Sequence, residues 1–217
     1  MATSQRMAPA TQPAPVDYAP VHNAGGGDGT EQEEQELVER ARTDPAAFAV
    51  LYERYFDRIY AFARRRTLTR DLAEDITSAT FERAYRQLPN FEWRGGGFRA
   101  WLYRIASNEM ADHYRRQGRS QSDRGQAALG QLYSASSEDD LDRIEAGGQD
   151  VRLMLRALDR LHERYAEAIR LRYIDGLSHE EAAAVMGMSK PVMAVTLSRA
   201  LKALKKAMDK LMDEGPQ

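Results

Sequence analysis

The sequence predicts an all-α protein: two small helical domains joined by a flexible acidic linker, the second domain ending in a helix-turn-helix. Three observations predict it. Apolar residues recur at three- and four-residue spacings from Glu31 to about Arg116 and again from Val151 to about Met212, the period of a helix with one buried face. Between those stretches, residues 118–150 turn to Gly, Ser, Gln and Asp, a composition too polar to build a core. No segment shows the two-residue alternation of a half-buried strand, and no internal repeat occurs.

Residues 1–30 are rich in Ala, Pro, Gln and Gly and end in Gly25-Gly26-Gly27-Asp28-Gly29. They bury too little to offset their ordering entropy, which predicts a disordered tail. The first domain, residues 31–117, places Leu37, Phe48, Leu51, Tyr52, Tyr55, Ile59, Tyr60, Phe62 and Ala63 on one face. Thr43-Asp44-Pro45 interrupts that face with a start signal, since Asp44 can cap and Pro45 suits a first turn. A second helix is predicted from about Arg70 to Gln87, with Leu72, Ile76, Ala79, Thr80 and Ala84 inward. Leu88-Pro89-Asn90 stops it. After the loop Phe91–Gly97, a third helix runs from Phe98 to about Arg116 with Trp101, Leu102, Ile105 and Ala106 inward.

The linker, residues 118–150, carries Ser134–Ser137 into Glu138-Asp139-Asp140, with a helical turn expected around Leu141–Ile144. The second domain, residues 151–213, resumes with Val151, Leu155, Leu158 and Leu161, then Ala168, Ile169, Leu171 and Tyr173. Ser178 opens a new helix as the first member of a capping box with Glu181. Gly187 ends it, and Ser189-Lys190-Pro191 begins a last capped helix to about Met212.

Composition removes several function classes. There is no cysteine, so disulfide frameworks and thiolate metal sites are excluded. The four histidines, His22, His113, His162 and His179, are dispersed, in no metal-ligand or nucleophile–base pattern. His113 and His162 read as surface residues of their helices. No catalytic residue, metal or cofactor is expected. Gly95–Gly97 lacks the following lysine of a phosphate-cradling loop. The chain shows neither a signal peptide nor a membrane-length apolar run, which predicts a cytoplasmic protein without membrane insertion. The formal net charge is only −2. However, acidic residues crowd Glu31–Glu39 and Glu138–Asp150, while basic ones crowd Arg64–Arg66, Arg115–Arg119 and Lys202–Lys210. Separate patches of opposite sign suit contacts with both a protein and DNA, and equally suit ordinary solvated helix faces.

Two motifs carry chemistry. Ser178–Lys206 reads as a helix-turn-helix, with Ala183 small at the crossing and Gly187 in the turn. Its second helix can enter the major groove, exposing Lys190, Thr196, Ser198 and Arg199 to base edges, with Lys202, Lys205, Lys206 and Lys210 placed for phosphates. The competing reading is a generic helical hairpin with basic ends. The second motif is the loop of Phe91, Trp93 and three glycines, followed by Phe98, Trp101 and Tyr103. Aromatics on a basic, pliable loop can stack unpaired bases. Phe98, Trp101 and Ile105 share a helical face and read as core, which leaves Trp93 and the glycines for contact. Asn108 offers a paired donor and acceptor to a base edge.

The run Phe98-Arg99-Ala100-Trp101-Leu102-Tyr103-Arg104-Ile105-Ala106-Ser107-Asn108, followed by Asp112 and Arg115-Arg116, resembles the promoter-melting helix of extracytoplasmic-function (group IV) sigma factors of the sigma-70 family. Ala73-Glu74-Asp75-Ile76-Thr77, with Thr80-Phe81 and Arg83-Ala84, resembles their polymerase-binding helix. Leu171-Arg172-Tyr173, Gly176-Leu177-Ser178, Glu181-Ala182-Ala183 and Leu197-Ser198-Arg199-Ala200 resemble their second DNA-binding domain.

The resemblance implies a non-enzymatic sigma factor that binds core RNA polymerase and directs promoter-specific initiation. It would recognise the elements near minus ten and minus thirty-five and melt the former. Residues 31–117 would be the region-2 domain, docking on the clamp helices of the largest subunit through Asp71, Glu74, Asp75, Phe81 and Arg83. The same domain would contact the minus-ten DNA through Trp93, Arg94, Gly95, Gly96, Gly97, Arg104, Asn108, Arg115 and Arg116, the loop pocketing a flipped base that Asn108 reads. Residues 151–213 would be the region-4 domain, reading the minus-thirty-five element through Ser189, Lys190, Thr196, Ser198, Arg199 and Lys202 against the polymerase flap. The linker would thread the active-site and RNA-exit channels. An anti-sigma factor that occludes both domains is an expected further partner.

The chain departs from the family pattern at Leu72, at Ala79, and in Lys190-Pro191-Val192-Met193-Ala194-Val195-Thr196, where Val-Gly-Thr-Val-Lys-Ser-Arg is common. The usual cations of the reading face are absent, which shifts affinity toward Arg199 and the lysines behind it. The alternative from another class is a helix-turn-helix regulator that binds duplex DNA without polymerase. It explains the second domain and leaves Glu74, Asp75 and the Trp/Gly loop without a purpose.

Overall fold

The computed structural model describes residues 31–120 and 151–214. The expected tail and the acidic linker, with its turn at Leu141–Ile144, lie outside the described residues. The described residues form helices joined by short loops and turns and contain no strand. Helices α1 (Glu31–Ala41), α2 (Pro45–Arg64), α3 (Arg70–Gln87) and α4 (Gly97–Ser120) form the first unit. Helices α5 (residues 151–159), α6 (Glu163–Ile169), α7 (His179–Val185) and α8 (Lys190–Asp213) form the second.

Local chemistry sets the helix starts. Asp44 caps α2 by accepting from the Ala46 N–H at 2.9 Å, with Pro45 at the first position. Thr69 caps α3 through the Leu72 N–H at 3.3 Å. At α7 the capping box closes both ways: Ser178 Oγ accepts from the Glu181 N–H at 3.1 Å, and Glu181 Oε2 accepts from the Ser178 N–H at 2.6 Å. The turn to α8 uses Gly187 at φ 64°, a left-handed conformation that favours glycine. Ser189 holds the cap position of α8, but its side chain makes no capping bond, and Pro191 presets the first turn instead.

The predicted inward face of α2 is buried at Leu51, Tyr55, Ile59, Phe62 and Ala63, against Ala73, Ile76 and Phe81 of α3 and Phe98, Leu102 and Ile105 of α4. Two expectations fail. Tyr52 is 39 % exposed and Tyr173 is 58 % exposed. Tyr52 lies one position beyond Leu51, at the edge of a stripe too narrow for both. Tyr173 is turned out by the wide π-helical turn Arg170–Ile174 that continues α6, because an extra residue in the turn shifts the helical phase.

The two units pack face to face through the end of α2 and the α4–α7 contact. Arg66, 3 % exposed, donates to Asp175 Oδ2 at 2.8 Å and to both Glu167 oxygens at 3.3 Å. Arg65 pairs with the other Asp175 oxygen. From α4, Arg99 donates to the Asp175 and Gly176 carbonyls at 3.0 and 3.3 Å and lies 3.6 Å from Glu181. Gly96, at φ 90°, sits where an added Cβ would meet the Glu181 Cα at 3.0 Å, so backbone touches backbone there. Burial raises the Glu167 carboxyl above its ordinary range, only partly opposed by Arg66. Burial also pushes Asp175 upward, but the charges of Arg66 and Arg65 and their hydrogen bonds outweigh it and hold the carboxyl below its ordinary value.

Asp44→Ala should cost ~1 kcal/mol through the lost cap, and Leu51→Ala about 2–5 kcal/mol through a core cavity, both read by urea unfolding. In a carboxyl NMR titration, Glu167 should take up its proton above the usual glutamate range and Asp175 below the usual aspartate range. The Asp175 contribution to the closed packing is therefore complete above its ordinary value and lost as pH falls through the depressed one. For Glu167 the sign reverses: its contribution is complete at low pH and lost as pH rises through the raised value. Asp175→Ala leaves the buried Arg66 half-paired, a loss of about 3–5 kcal/mol by the rule for broken buried pairs. Small-angle scattering should then report an expanded molecule that keeps its helical circular dichroism.

Candidate nucleic-acid interface

The loop before α4 is held by aromatic packing and one arginine. Phe91 is buried and sits 4.8 Å from Trp101 and 5.8 Å from Phe98, centroid to centroid. Arg42 donates to the carbonyls of Pro89 at 3.2 Å and Phe91 at 2.8 Å. Trp93, read from sequence as a contact residue, is half-buried: its indole N–H donates to Glu31 at 3.3 Å and its ring lies over Gly97. Arg94 is exposed and paired with Glu92 at 2.5 Å.

Along α4, Arg104, Asn108 and Arg115 are all exposed. Their spacings of four and seven residues put them on one side of the helix. Arg116 is exposed beside them, and Arg115 pairs with Asp112. Asn108 stands eleven residues beyond Gly97, about 16 Å at 1.5 Å per residue. The loop returns along α4, with Phe91 packed on Trp101, seven residues before Asn108 on the same helix.

On α3, Asp71, Glu74 and Asp75 are exposed. Two companions expected beside them are not free surface. Phe81 is 4 % exposed, and it supports the Tyr52 ring at 4.6 Å. Arg83 pairs with the buried Glu109 at 2.5 Å and with Asp112 at 3.8 Å. Sequence reasoning missed an aromatic row packed against the later part of α3: Phe48, Tyr52, Phe56 and Tyr60 recur at four-residue spacing, Tyr52 and Phe56 lie against Phe81, and Tyr85 lies 4.8 Å from Phe48 and is 47 % exposed. The signal was the spacing itself, since four aromatics on one row are more than a single core stripe can hide.

On α8, Met193, Thr196, Leu197 and Ala200 face inward. Thr196 is therefore corrected from the exposed reading face to a recessed position, 6 % exposed, because it falls in register with Met193 and Ala200. Ser189, Lys190, Ser198, Arg199 and Lys202 are exposed as expected, and so are Lys205, Lys206 and Lys210. Lys190 lies 3.4 Å from Glu180. His162, expected on a helix surface, caps α6: its Nδ1 accepts from the Arg164 N–H at 3.2 Å.

The closed packing covers part of the candidate surface. Gly95 lies against Glu180, Gly96 against Glu181 and Ala184, and Arg99 is occupied by the turn before α7. The exposed stripe of α4 and the outer face of α8 remain open to solvent.

Comparison with known proteins matches both units. The family "Sigma-70 region 2" covers residues 51–120 and "Sigma-70, region 4" covers residues 152–204. The ECF RNA polymerase sigma factor BldN of Streptomyces coelicolor is 34% identical over 191 residues, 84% of this chain and 69% of that protein. RNA polymerase sigma-H factor of Pseudomonas aeruginosa is 32% identical over 86% of this chain and 99% of its own length. The ECF RNA polymerase sigma-E factor of Escherichia coli is 33% identical over 79% and 92%. Among solved structures, CnrH in complex with the cytosolic domain of CnrY shares the fold, with a TM-score of 0.55 at 24% identity, covering 84% of this chain and 98% of that one. Two sigma-70 regions in order, each a helical unit with its own cationic or acidic surface, lead to one identification: the chain belongs to the extracytoplasmic-function sigma factors of the sigma-70 family, the subunits that give RNA polymerase its promoter recognition.

Proposed function

We propose a division of labour between the two units. Residues 31–117 dock on the clamp helices of the polymerase largest subunit and open the minus-ten element. Residues 151–213 read the minus-thirty-five duplex beside the flap, and residues 118–150 run between them through the polymerase channels. The observation that carries this reading is the separation of surfaces: an exposed acidic group with an aromatic ladder on α2 and α3, a stripe of Arg104, Asn108 and Arg115 on α4, and a cationic α8 on the other unit.

Asp71, Glu74 and Asp75 supply the charge of the polymerase contact, and Tyr52 and Tyr85 supply its apolar area, with Phe81 and Arg83 acting from beneath. On α4 the displaced single strand follows Arg104, Asn108 and Arg115, with Arg116 alongside. Cations hold its phosphates, and Asn108 offers an amide to an unstacked base. Trp93, Arg94 and Gly95–Gly97 complete the site once α7 has moved off the loop, so promoter engagement requires the two units to part. No membrane-crossing helix occurs among the described residues, which fits work beside cytoplasmic polymerase. CnrH was solved in complex with the cytosolic domain of CnrY, and an anti-sigma protein that holds the two units together is the regulatory partner proposed here.

Transcription in vitro with sigma-free core polymerase tests the assignment. Position-specific starts should appear with the intact chain and fall at least tenfold with Glu74→Lys/Asp75→Lys. Starts that persist at full level would remove α3 from the polymerase contact. Asn108→Ala should lower permanganate reactivity of the minus-ten thymines without weakening core binding, and a template already open over that element should restore initiation. Equal loss on closed and open templates would instead assign Asn108 to a step after melting.

A further inference from the structure

The start of α8 has an outward face of unusual chemistry. Between Pro191 and Thr196 the exposed residues are Pro191, Val192, Ala194 and Val195, and none of their side chains can donate or accept a hydrogen bond. Val192 is 43 % exposed and Val195 51 %. Three residues apart, they form one patch across the first two turns of the helix. Val192, Val195 and the recessed Thr196 line an open cleft of about 670 Å³ whose far wall is His162, Arg164 and Tyr165.

The rim of this patch is cationic. Lys190 precedes it, Arg199 and Lys202 follow it on α8, and Arg164 stands across the cleft. Lys190 already lies 3.4 Å from Glu180, but an apolar peptide would offer no charge to Arg164, Arg199 and Lys202, whereas duplex DNA satisfies both features at once. Its phosphates meet the rim, and the floor of its major groove carries one apolar group, the 5-methyl of thymine. A valine set against a cytosine amino group or a guanine oxygen strips water from it and returns no hydrogen bond.

We propose that Val192 and Val195 read the upstream promoter element by apolar contact with thymine methyl groups, Arg199 supplying the hydrogen-bonded contact at the edge of the patch. This rests on α8 being the reader of the upstream duplex. The discrimination rests on the methyl: an A·T pair with its methyl toward α8 gains an apolar contact that partly offsets the desolvation of its polar edge, and a G·C pair at the same step has none to offer.

Holoenzyme assembled from the full chain and core polymerase would select promoters from a random template library, and footprinting would locate the upstream element. Each thymine within it would then be replaced by deoxyuridine, which removes the methyl and keeps every hydrogen-bonding group. Promoter occupancy should fall about fourfold at each contacted position, the equivalent of ~0.8 kcal/mol for one buried carbon. Val192→Ala/Val195→Ala holoenzyme should bind the thymine and deoxyuridine templates alike. Both side chains are solvent-exposed, so helicity by circular dichroism should be unchanged in that variant. Equal occupancy of the two templates by unaltered holoenzyme overturns the proposal, while the selected starts keep the sigma assignment intact. Undiminished thymine discrimination in the double variant also overturns it and leaves the patch to a protein partner. A holoenzyme that selects no start at all removes the underlying assignment, and this proposal with it.

Discussion

The closed form depends on a buried guanidinium. Arg66 lies just past the C-terminal end of α2 with its Cζ 3.9 Å from the Phe62 ring centroid and its Nη2 shared between Asp175 and Glu167. Each of these groups is costly to remove from water, and Coulomb attraction with hydrogen bonding only approximately repays that cost. The junction between the units is ionic at Arg66 and Asp175, and beside them α7 packs on α4 so that the buried apolar core runs on from one unit into the other. On opening, the charges regain hydration, which offsets part of their pairing, while the apolar contact of α7 with α4 is lost.

The same junction explains why the loop before α4 is built as it is. Phe91 and Arg42 anchor its entrance, while Gly95 and Gly96 let α7 approach within backbone contact. Glu181 closes the capping box of α7 and also faces Arg99. One carboxylate thus ties the local stability of a seven-residue helix to the packing of the two units. A helix this short is marginal alone, so its order depends on the cap and on the surface it lies against. The α2–α3–α4 core and the α6–α8 pair each have packing of their own, and the contact between them is the one that the proposed function requires to open.

The functional surfaces divide by chemistry along the same line. The first unit shows carboxylates and aromatic rings on α2 and α3, suited to a protein, and an Arg-Asn-Arg stripe on α4, suited to an exposed strand. The second unit shows lysines along α8 and an apolar start to that helix. Opposite signs on separate faces explain how a chain of formal net charge −2 can serve a polyanion: what matters locally is the field of each face, screened from the others within about 10 Å.

The sequence by itself determined the helices, because their signals are local. Period, caps and breakers gave α3 its observed bounds, the Ser178–Glu181 box its two hydrogen bonds and Gly187 its left-handed turn, and the quoted motifs were enough to identify the family. Two kinds of fact waited for the tertiary structure. One is exposure at the margins of a helical stripe: Tyr52, Thr196 and Tyr173 sit at positions where one hundred degrees of rotation decides between core and solvent, and neighbouring helices or a π-helical turn set that rotation. The other is long-range pairing. Arg65 and Arg66 read as part of a basic run, yet they meet Asp175 across more than a hundred residues. Charge partners leave no period in a sequence, since their attraction depends on distance in space, and only the packing of α7 on α4 brings them within reach.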